Sequence, residues 1–412
     1  MAESRLFSFW HDATPEARRA LVAASLGWML DAFDVMLYAL VLASLMSDLG
    51  MAESTAGLLG SLTLVASAVG GVIFGIVADR FGRTRALMAS ILIYSVFTFA
   101  CGLAQTVLQL AAFRVLLGLG MGGEWASGAA LVSETWPAKH RGKALGLVQS
   151  SWAVGYGLAA LVTLIVLPRF GWRAVFFVGV LPALFTLWIR RSVREPEIWT
   201  RARIAAPDRA AGLGTIFGPA LGRLTLAVTL MNACTMFAWW GFNLWIPAYL
   251  SLPADKGGVG LATATMSWFV VVMQAGMWLG YVTFGIVSDA LGRKRTYVAY
   301  VLGAAGFVLA YAVTRAPIAL LLLGPFVGFF GAGYFSGFGA VTAEIYPTRI
   351  RATAQGFTYN LGRIASALAP FTVGSLAQSH GFTAAFSTVA LAFVLAAVAW
   401  IWIPETKGRD LL

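Results

Sequence analysis

The sequence predicts an all-α membrane protein, with twelve transmembrane helices in two pseudo-symmetric six-helix bundles. Three observations predict it. Of 412 residues, 59% are hydrophobic and only 11% are charged, against roughly 25% charge in soluble domains. The apolar stretches run unbroken for about 20 residues, the length a helix needs to cross a bilayer. A β-barrel would instead alternate over short strands. Finally, residues 74–85 read FGIVADRFGRTR and residues 284–295 read FGIVSDALGRKR, eight of twelve positions identical at a shift of 210. The mean hydropathy of +0.80 excludes a disordered chain or a soluble enzyme.

Taken in order, residues 1–19 form a polar tail without the basic start and apolar core of a secretory signal. The apolar run from Ala20 to about Ser47 is too long for a cleaved signal and reads as the first span. Charged or Gly/Pro-marked breaks divide the rest into spans at 56–78, 86–104, 107–130, 144–167, 172–190, 224–250, 262–288, 296–314, 317–341, 353–377 and 382–403. Residues 20–190 make the first bundle and 224–403 the second. Between them lies an Arg-, Ala- and Pro-rich linker, 191–223, and residues 404–412 form a second tail.

The net charge of +11 belongs to membrane orientation and not to nucleic acid. With the termini and alternate loops on one side, 23 of the 29 Lys and Arg fall there, 4 fall on the other side and 2 within spans. Basic residues stay inside, so both termini are expected in the cytoplasm. Cys101 and Cys234 sit in apolar runs and suggest neither a disulfide nor a metal site.

The 210-residue shift also aligns SETWPAKHRG at 133–142 with AEIYPTRIRA at 343–352, matching Glu134 to Glu344 and Arg141 to Arg351. One shift serving two places marks a duplicated unit. Six helices per unit give both copies the same orientation.

With these residues on the page, the chain resembles the Major Facilitator Superfamily. Its signature between spans two and three falls on Gly75, Asp79, Arg80, Gly82, Arg83 and Arg85, and again on Gly285, Asp289, Gly292, Arg293 and Arg295, with Ala290 a departure. The resemblance covers the whole chain and implies two bundles rocking about a central site. It also implies a cytoplasmic latch that holds the outward-open state. The latch comprises Gly75, Asp79, Arg80, Gly82, Arg83, Glu134 and Arg141 in the first half, and Asp289, Gly292, Arg293, Glu344 and Arg351 in the second. Glycines permit the tight turn, and arginines can pair with acids such as Glu134.

Five charges lie at membrane depth: Asp31, Asp34, Arg114, Glu124 and Arg363. Each costs at least ~2.5 kcal/mol there, so each is a functional candidate. Their 210-shifted partners are uncharged, so the halves divide labour. At ~1.5 Å rise per residue, Asp34 and Arg114 come to one depth and form a candidate proton switch. DAFD and RVLLG around them resemble sugar–proton and aromatic acid–proton symporters, which implies proton coupling at Asp34 and Arg114. Asp31, one turn away, is a second proton site or positions its helix through hydrogen bonds, and Glu124 is a relay or a structural partner. Arg363 reaches midplane with no acid in its own half's spans, which suits an anion. Its segment resembles that of organic anion transporters, which implies carboxylate binding there; pairing with Asp31 is the alternative.

Candidate cavity-lining residues are Asn232, Trp239, Trp240 and Asn243 in span seven, with Gln149, Trp152, Gln274, Tyr334, Tyr359 and Asn360. Trp and Tyr also mark interface belts, so each has a structural alternative. No nucleophile–base pair, metal cluster or phosphate loop is present in the sequence, so neither an enzyme nor a cofactor is expected. LDAFDVMLYALVL and EPEIW are most similar to the sialate and lactate proton symporter group, with aromatic acid symporters close behind. The expectation is a monomer that imports a small organic anion with protons. Proton-coupled efflux, or sensing on a transporter fold, are the rivals. Span five lacks the Gly-Pro of such antiporters, which lowers the first.

Overall fold

The computed structural model describes residues 10, 13–136, 138–197, 200, 216–219, 221–346 and 348–407. Of the expected latch, Gly75, Asp79, Arg80, Arg141, Asp289 and Arg351 fall outside the described side chains. Much of the linker, at 201–215, also falls outside.

Helix α1 (Pro15–Leu49) begins five residues before the apolar run. Thr14 caps it, its side chain accepting the Ala17 N–H, and Pro15 supplies a ready helical φ at the first position. Then follow α2 (Glu53–Phe81), α3 (Arg83–Leu103), α4 (Val107–Thr135), α5 (Ala138–Val178) and α6 (Leu181–Ser192). The second half holds α7 (Gly222–Ser251), α8 (Thr263–Leu291), α9 (Arg293–Val313), α10 (Pro317–Gly333), α11 (Phe335–Ile345), α12 (Thr348–Ser366) and α13 (Leu368–Ala399).

Ten helical stretches among the described residues are long and apolar enough to cross a membrane. Two of these, of 46 and 43 residues, are about twice the length one crossing needs. Each contains a non-helical glycine, Gly171 at φ 75° in α5 and Gly381 at φ 78° in α13. These glycines stand 210 residues apart and turn the chain between spans five and six and between spans eleven and twelve. Twelve crossings result. Spans ten and eleven each use two helices, α10 with α11, and α12 with the start of α13.

Large apolar side chains point outward, as Leu108 (80% exposed) and Ile318 (76%) do, and form the lipid-facing surface. The halves meet where α8 packs on α5, α13 on α2, and α7 on α1. Hydrogen bonds cross between them, among them these three. Ser54 N–H donates to Gln378 Oε1 (3.3 Å), Phe371 N–H to Ser61 Oγ (3.2 Å), and the Tyr156 hydroxyl to the Asn243 carbonyl (3.2 Å). The first two lie toward the face away from the termini, which is therefore the closed face.

Gly57 makes this closure possible. A Cβ there would strike the Pro370 carbonyl and stand 3.0 Å from Phe371 Cα. Gly57→Leu is expected to hold that face open. A cysteine replacing the buried Ser61 should then react faster with a membrane-impermeant maleimide than in the parent. Equal reactivity would show that this contact does not set the closed face.

Candidate transport site

The latch turns are built twice. Gly82 and Gly292 take φ of 118° and 102° between α2 and α3 and between α8 and α9. Beyond each turn an arginine meets a carboxylate at the end of a neighbouring helix. Arg83 Nη2 lies 3.0 Å from Glu134 Oε1, and Arg293 Nη2 lies 3.1 Å from Glu344 Oε1. Both pairs join helices of one half. They brace each bundle and do not bolt one bundle to the other.

Sequence reading missed a third partner in each brace. Glu195 accepts from the Thr84 (3.1 Å) and Arg85 (3.3 Å) N–H groups, and Glu405 from those of Arg293 (2.8 Å) and Lys294 (3.1 Å). Each carboxylate thus faces a helix N-terminus, where backbone dipoles favour negative charge. Glu195 and Glu405 are 210 residues apart, a signal the repeat already contained. Burial tends to raise the Glu405 carboxyl, but four backbone N–H donors, from Lys407, Arg293, Lys294 and Thr406, bring it below its ordinary value. A depressed carboxylate stabilises the fold above its unfolded titration range, and that contribution is lost as pH falls through the folded value. Glu405→Gln should therefore cost about 1 kcal/mol or less near pH 7, the scale of an exposed cap. The difference from the parent should fade below about pH 4. A melting curve in detergent at both pH values checks it; a deficit that persists in acid would contradict the cap.

The five membrane-depth charges are all buried: Asp31, Asp34, Arg114 and Glu124 at 1% exposure and Arg363 at 5%. Among the described residues, no ion pair includes any of them. The expected contact of Asp34 with Arg114 is not present. Asp34 Oδ2 lies 3.2 Å from the Thr98 hydroxyl, and the Arg114 guanidinium lies 3.7 Å from the centre of the Tyr38 ring. Tyr38 follows Asp34 by one turn of α1, so the arginine meets that helix one turn further along. Depth counting fixed the level to within a turn but not the partner.

Thr98 Oγ1 is also 2.8 Å from the Tyr94 carbonyl. A hydroxyl has one proton to give and two lone pairs. When Asp34 is ionised, Thr98 can donate to it. When Asp34 is protonated, Asp34 can donate to Thr98, and Thr98 to Tyr94. Glu124 lies against Gly27 of α1 with neither carboxylate oxygen bonded. The Tyr94 hydroxyl in turn donates to the Gly27 carbonyl (3.5 Å), at the glycine Glu124 lies against.

Arg363 faces a narrow central cavity, lined also by Trp28, Gln149, Trp152, Met236, Trp239, Trp240, Tyr281, Phe335 and Tyr359. Its guanidinium has no hydrogen-bonding partner among the described residues, although it is close enough to act electrostatically on Asp31. The rings form a chain: Trp28 to Trp152 at 4.8 Å, Trp152 to Trp239 at 5.6 Å and Trp239 to Trp240 at 4.8 Å, centre to centre. Flat π surfaces and a donor-only cation therefore bound one space, a setting for a planar anion.

Of the expected lining residues, Gln149, Trp152, Trp239, Trp240, Tyr359 and Arg363 converge here. Asn232, Asn243, Gln274, Tyr334 and Asn360 are not among its lining residues. Tyr334 is fully buried and donates to the Thr235 carbonyl (3.1 Å), and Asn243 Nδ2 donates to the Trp239 carbonyl of its own helix (3.0 Å). Gln274 sits beside Gly157, Asn232 beside Gly362 and Asn360 near Gly71. Trp28, Met236, Tyr281 and Phe335 had been overlooked; Trp28 precedes Asp31 by three residues on the same helical face.

Comparison with known proteins agrees with this architecture. A putative metabolite transport protein of Haemophilus influenzae is 35% identical over 95% of this chain and 97% of its own length. A probable 4-methylmuconolactone transporter of Cupriavidus pinatubonensis is 33% identical, covering 98% and 94%. A cis,cis-muconate transport protein of Acinetobacter baylyi is 32% identical, covering 92% of each. The crystal structure of a D-xylose–proton symporter shares the fold at a TM-score of 0.79 and 21% identity, over 96% of this chain and all of that one. The family model described as Major Facilitator Superfamily matches residues 24–257 and 228–411. With its duplicated six-helix unit, its paired latch turns and its cavity between the halves, this multi-pass membrane protein belongs to the Major Facilitator Superfamily of transporters.

Proposed function

We propose that this transporter imports a small, flat organic anion together with protons by alternating access. The observation that carries the reading is Arg363: a buried guanidinium with no hydrogen bond or ion pair among the described residues, opening on a cavity walled by tryptophans. A buried charge is costly unless paired, so the arginine favours a carboxylate ligand. The names of two relatives point to muconate-type acids, which have this shape and charge.

Proton coupling rests on Asp31, Asp34 and Glu124, with Arg114 held apart on Tyr38. Three carboxylates buried together cannot all stay ionised when one half swings and their surroundings change. Their charge state and the arrangement of the bundles are therefore linked. The Lys and Arg bias supports both termini on the cytoplasmic side of the inner membrane, and one chain with both bundles would work as a monomer. The latch turns keep each bundle stiff during the swing.

Uptake by proteoliposomes tests the reading. Radiolabelled cis,cis-muconate should accumulate several-fold over protein-free liposomes when the outside is made acidic, and the accumulation should collapse with a protonophore. No accumulation above the protein-free liposomes, or accumulation indifferent to the gradient, would refute proton-driven import.

A further inference from the structure

A buried indole N–H without an acceptor is costly, because nothing apolar replaces the water it gives up. Three buried tryptophans avoid that cost. Trp136 donates to the Ala17 carbonyl (2.7 Å), Trp172 to Asp48 Oδ2 (3.1 Å) and Trp245 to the Pro370 carbonyl (2.9 Å). Trp28, Trp152 and Trp239 do not. They are 5%, 3% and 4% exposed, and their N–H groups have no acceptor among the described residues. All three line the central cavity beside Arg363. Trp400, which packs on Tyr297 instead, is the other buried indole in this condition among the described residues.

The three donors come from both halves, Trp28 from α1 and Trp152 from α5, and Trp239 from α7. An indole N–H gives a hydrogen bond and accepts none, and so does a guanidinium. Four side chains on one wall therefore give and cannot take. Water that meets these N–H groups is displaced when an acid enters, and the acid has to bring acceptors in its place. A single carboxylate has two oxygens, and the planar fork of Arg363 takes both. The indoles then call for oxygen elsewhere on the molecule. We propose that the central cavity selects a flat acid with a second oxygen acceptor, its carboxylate at Arg363 and its other oxygen at the indole N–H groups of Trp28, Trp152 and Trp239. An acid without that oxygen leaves buried donors unpaired and is rejected for it. The proposal rests on the carboxylate site put forward above and adds to it the feature that ranks one acid over another.

Calorimetry on the purified full chain with 4-acetylbenzoate and 4-isopropylbenzoate tests this. The two acids have nearly the same shape, and the second carries a methyl where the first has a carbonyl oxygen. The acetyl acid should bind at least about fivefold tighter, the worth of one neutral hydrogen bond. Trp28→Phe, Trp152→Phe and Trp239→Phe each remove packing from both acids, so the ratio of the two affinities is the readout. At least one of the three should lower it about threefold or more. Replacing that same tryptophan by 3-benzothienylalanine, which keeps the ring size and puts sulfur in place of the N–H, should lower it equally. A ratio near one in the parent would mean that the N–H groups are spent on neighbouring π faces, such as Trp239 edge-on to Trp152, and overturns the proposal. So does a ratio unmoved by all three phenylalanines, or one restored by the benzothienyl side chain. If Arg363→Gln leaves both affinities intact while the ratio persists, the carboxylate site is wrong and the indole donors stand. If neither acid binds the parent, both are overturned.

Discussion

Arg363→Gln is expected to weaken transport of any carboxylate by about ten- to hundredfold, the range of a hydrogen bond to a charged group. The substitution keeps the length and polarity of the side chain and removes its charge. The Arg363 guanidinium has no hydrogen bond among the described residues, and the substitution leaves the backbone carbonyl that accepts from Ser366 and Ala367 in place, so the helix it sits on should stay folded. Arg363→Lys should recover only part, because an ammonium lacks the planar fork that grips both carboxylate oxygens. The loss should appear chiefly in KM, as expected of a binding residue. An unchanged KM for every acid tested would move the anion site elsewhere.

Asp34→Asn should abolish uphill accumulation while leaving exchange of substrate across the membrane. Asparagine keeps the shape and can still bond to Thr98, but it cannot gain or lose a proton. Transport down a gradient needs only the swing of the bundles; accumulation needs the swing to be tied to a proton. Asp31→Asn and Glu124→Gln share the buried cluster and should lower accumulation less. Thr98→Ala, which removes the hydroxyl that serves both charge states of Asp34, should shift the pH dependence of uptake without eliminating it. Accumulation by Asp34→Asn equal to the parent's would remove this carboxylate from the coupling.

The architecture was legible in the sequence because lipid imposes it. A backbone in hydrocarbon must satisfy its own hydrogen bonds, so runs of about 20 apolar residues become helices. The sequence expected the latch arginines to pair with acids such as Glu134, and the structure puts Arg83 on Glu134 and, in the second copy of the repeat, Arg293 on Glu344. The candidate site was legible in part. Isolated charges in apolar runs flagged Asp31, Asp34, Arg114, Glu124 and Arg363, since each is costly and needs a reason. Which groups face each other was hidden, because rise per residue gives depth but neither tilt nor rotation. Hence Arg114 was assigned to Asp34 and was found on Tyr38. Tyr334 was assigned to the cavity and was found pinned to Thr235. Glu195 and Glu405 were passed over because they lie outside the spans, where charge is common.

Those two glutamates set how the machine can flex. Each ties the last segment of its half to the turn after that half's second helix, so the end of the chain in each half is hooked to the rim of its own barrel. A barrel so hooked tips as one piece, and bending is left to the seam between the barrels. A lesion in one hook should therefore slacken a single lever and make the stroke lopsided.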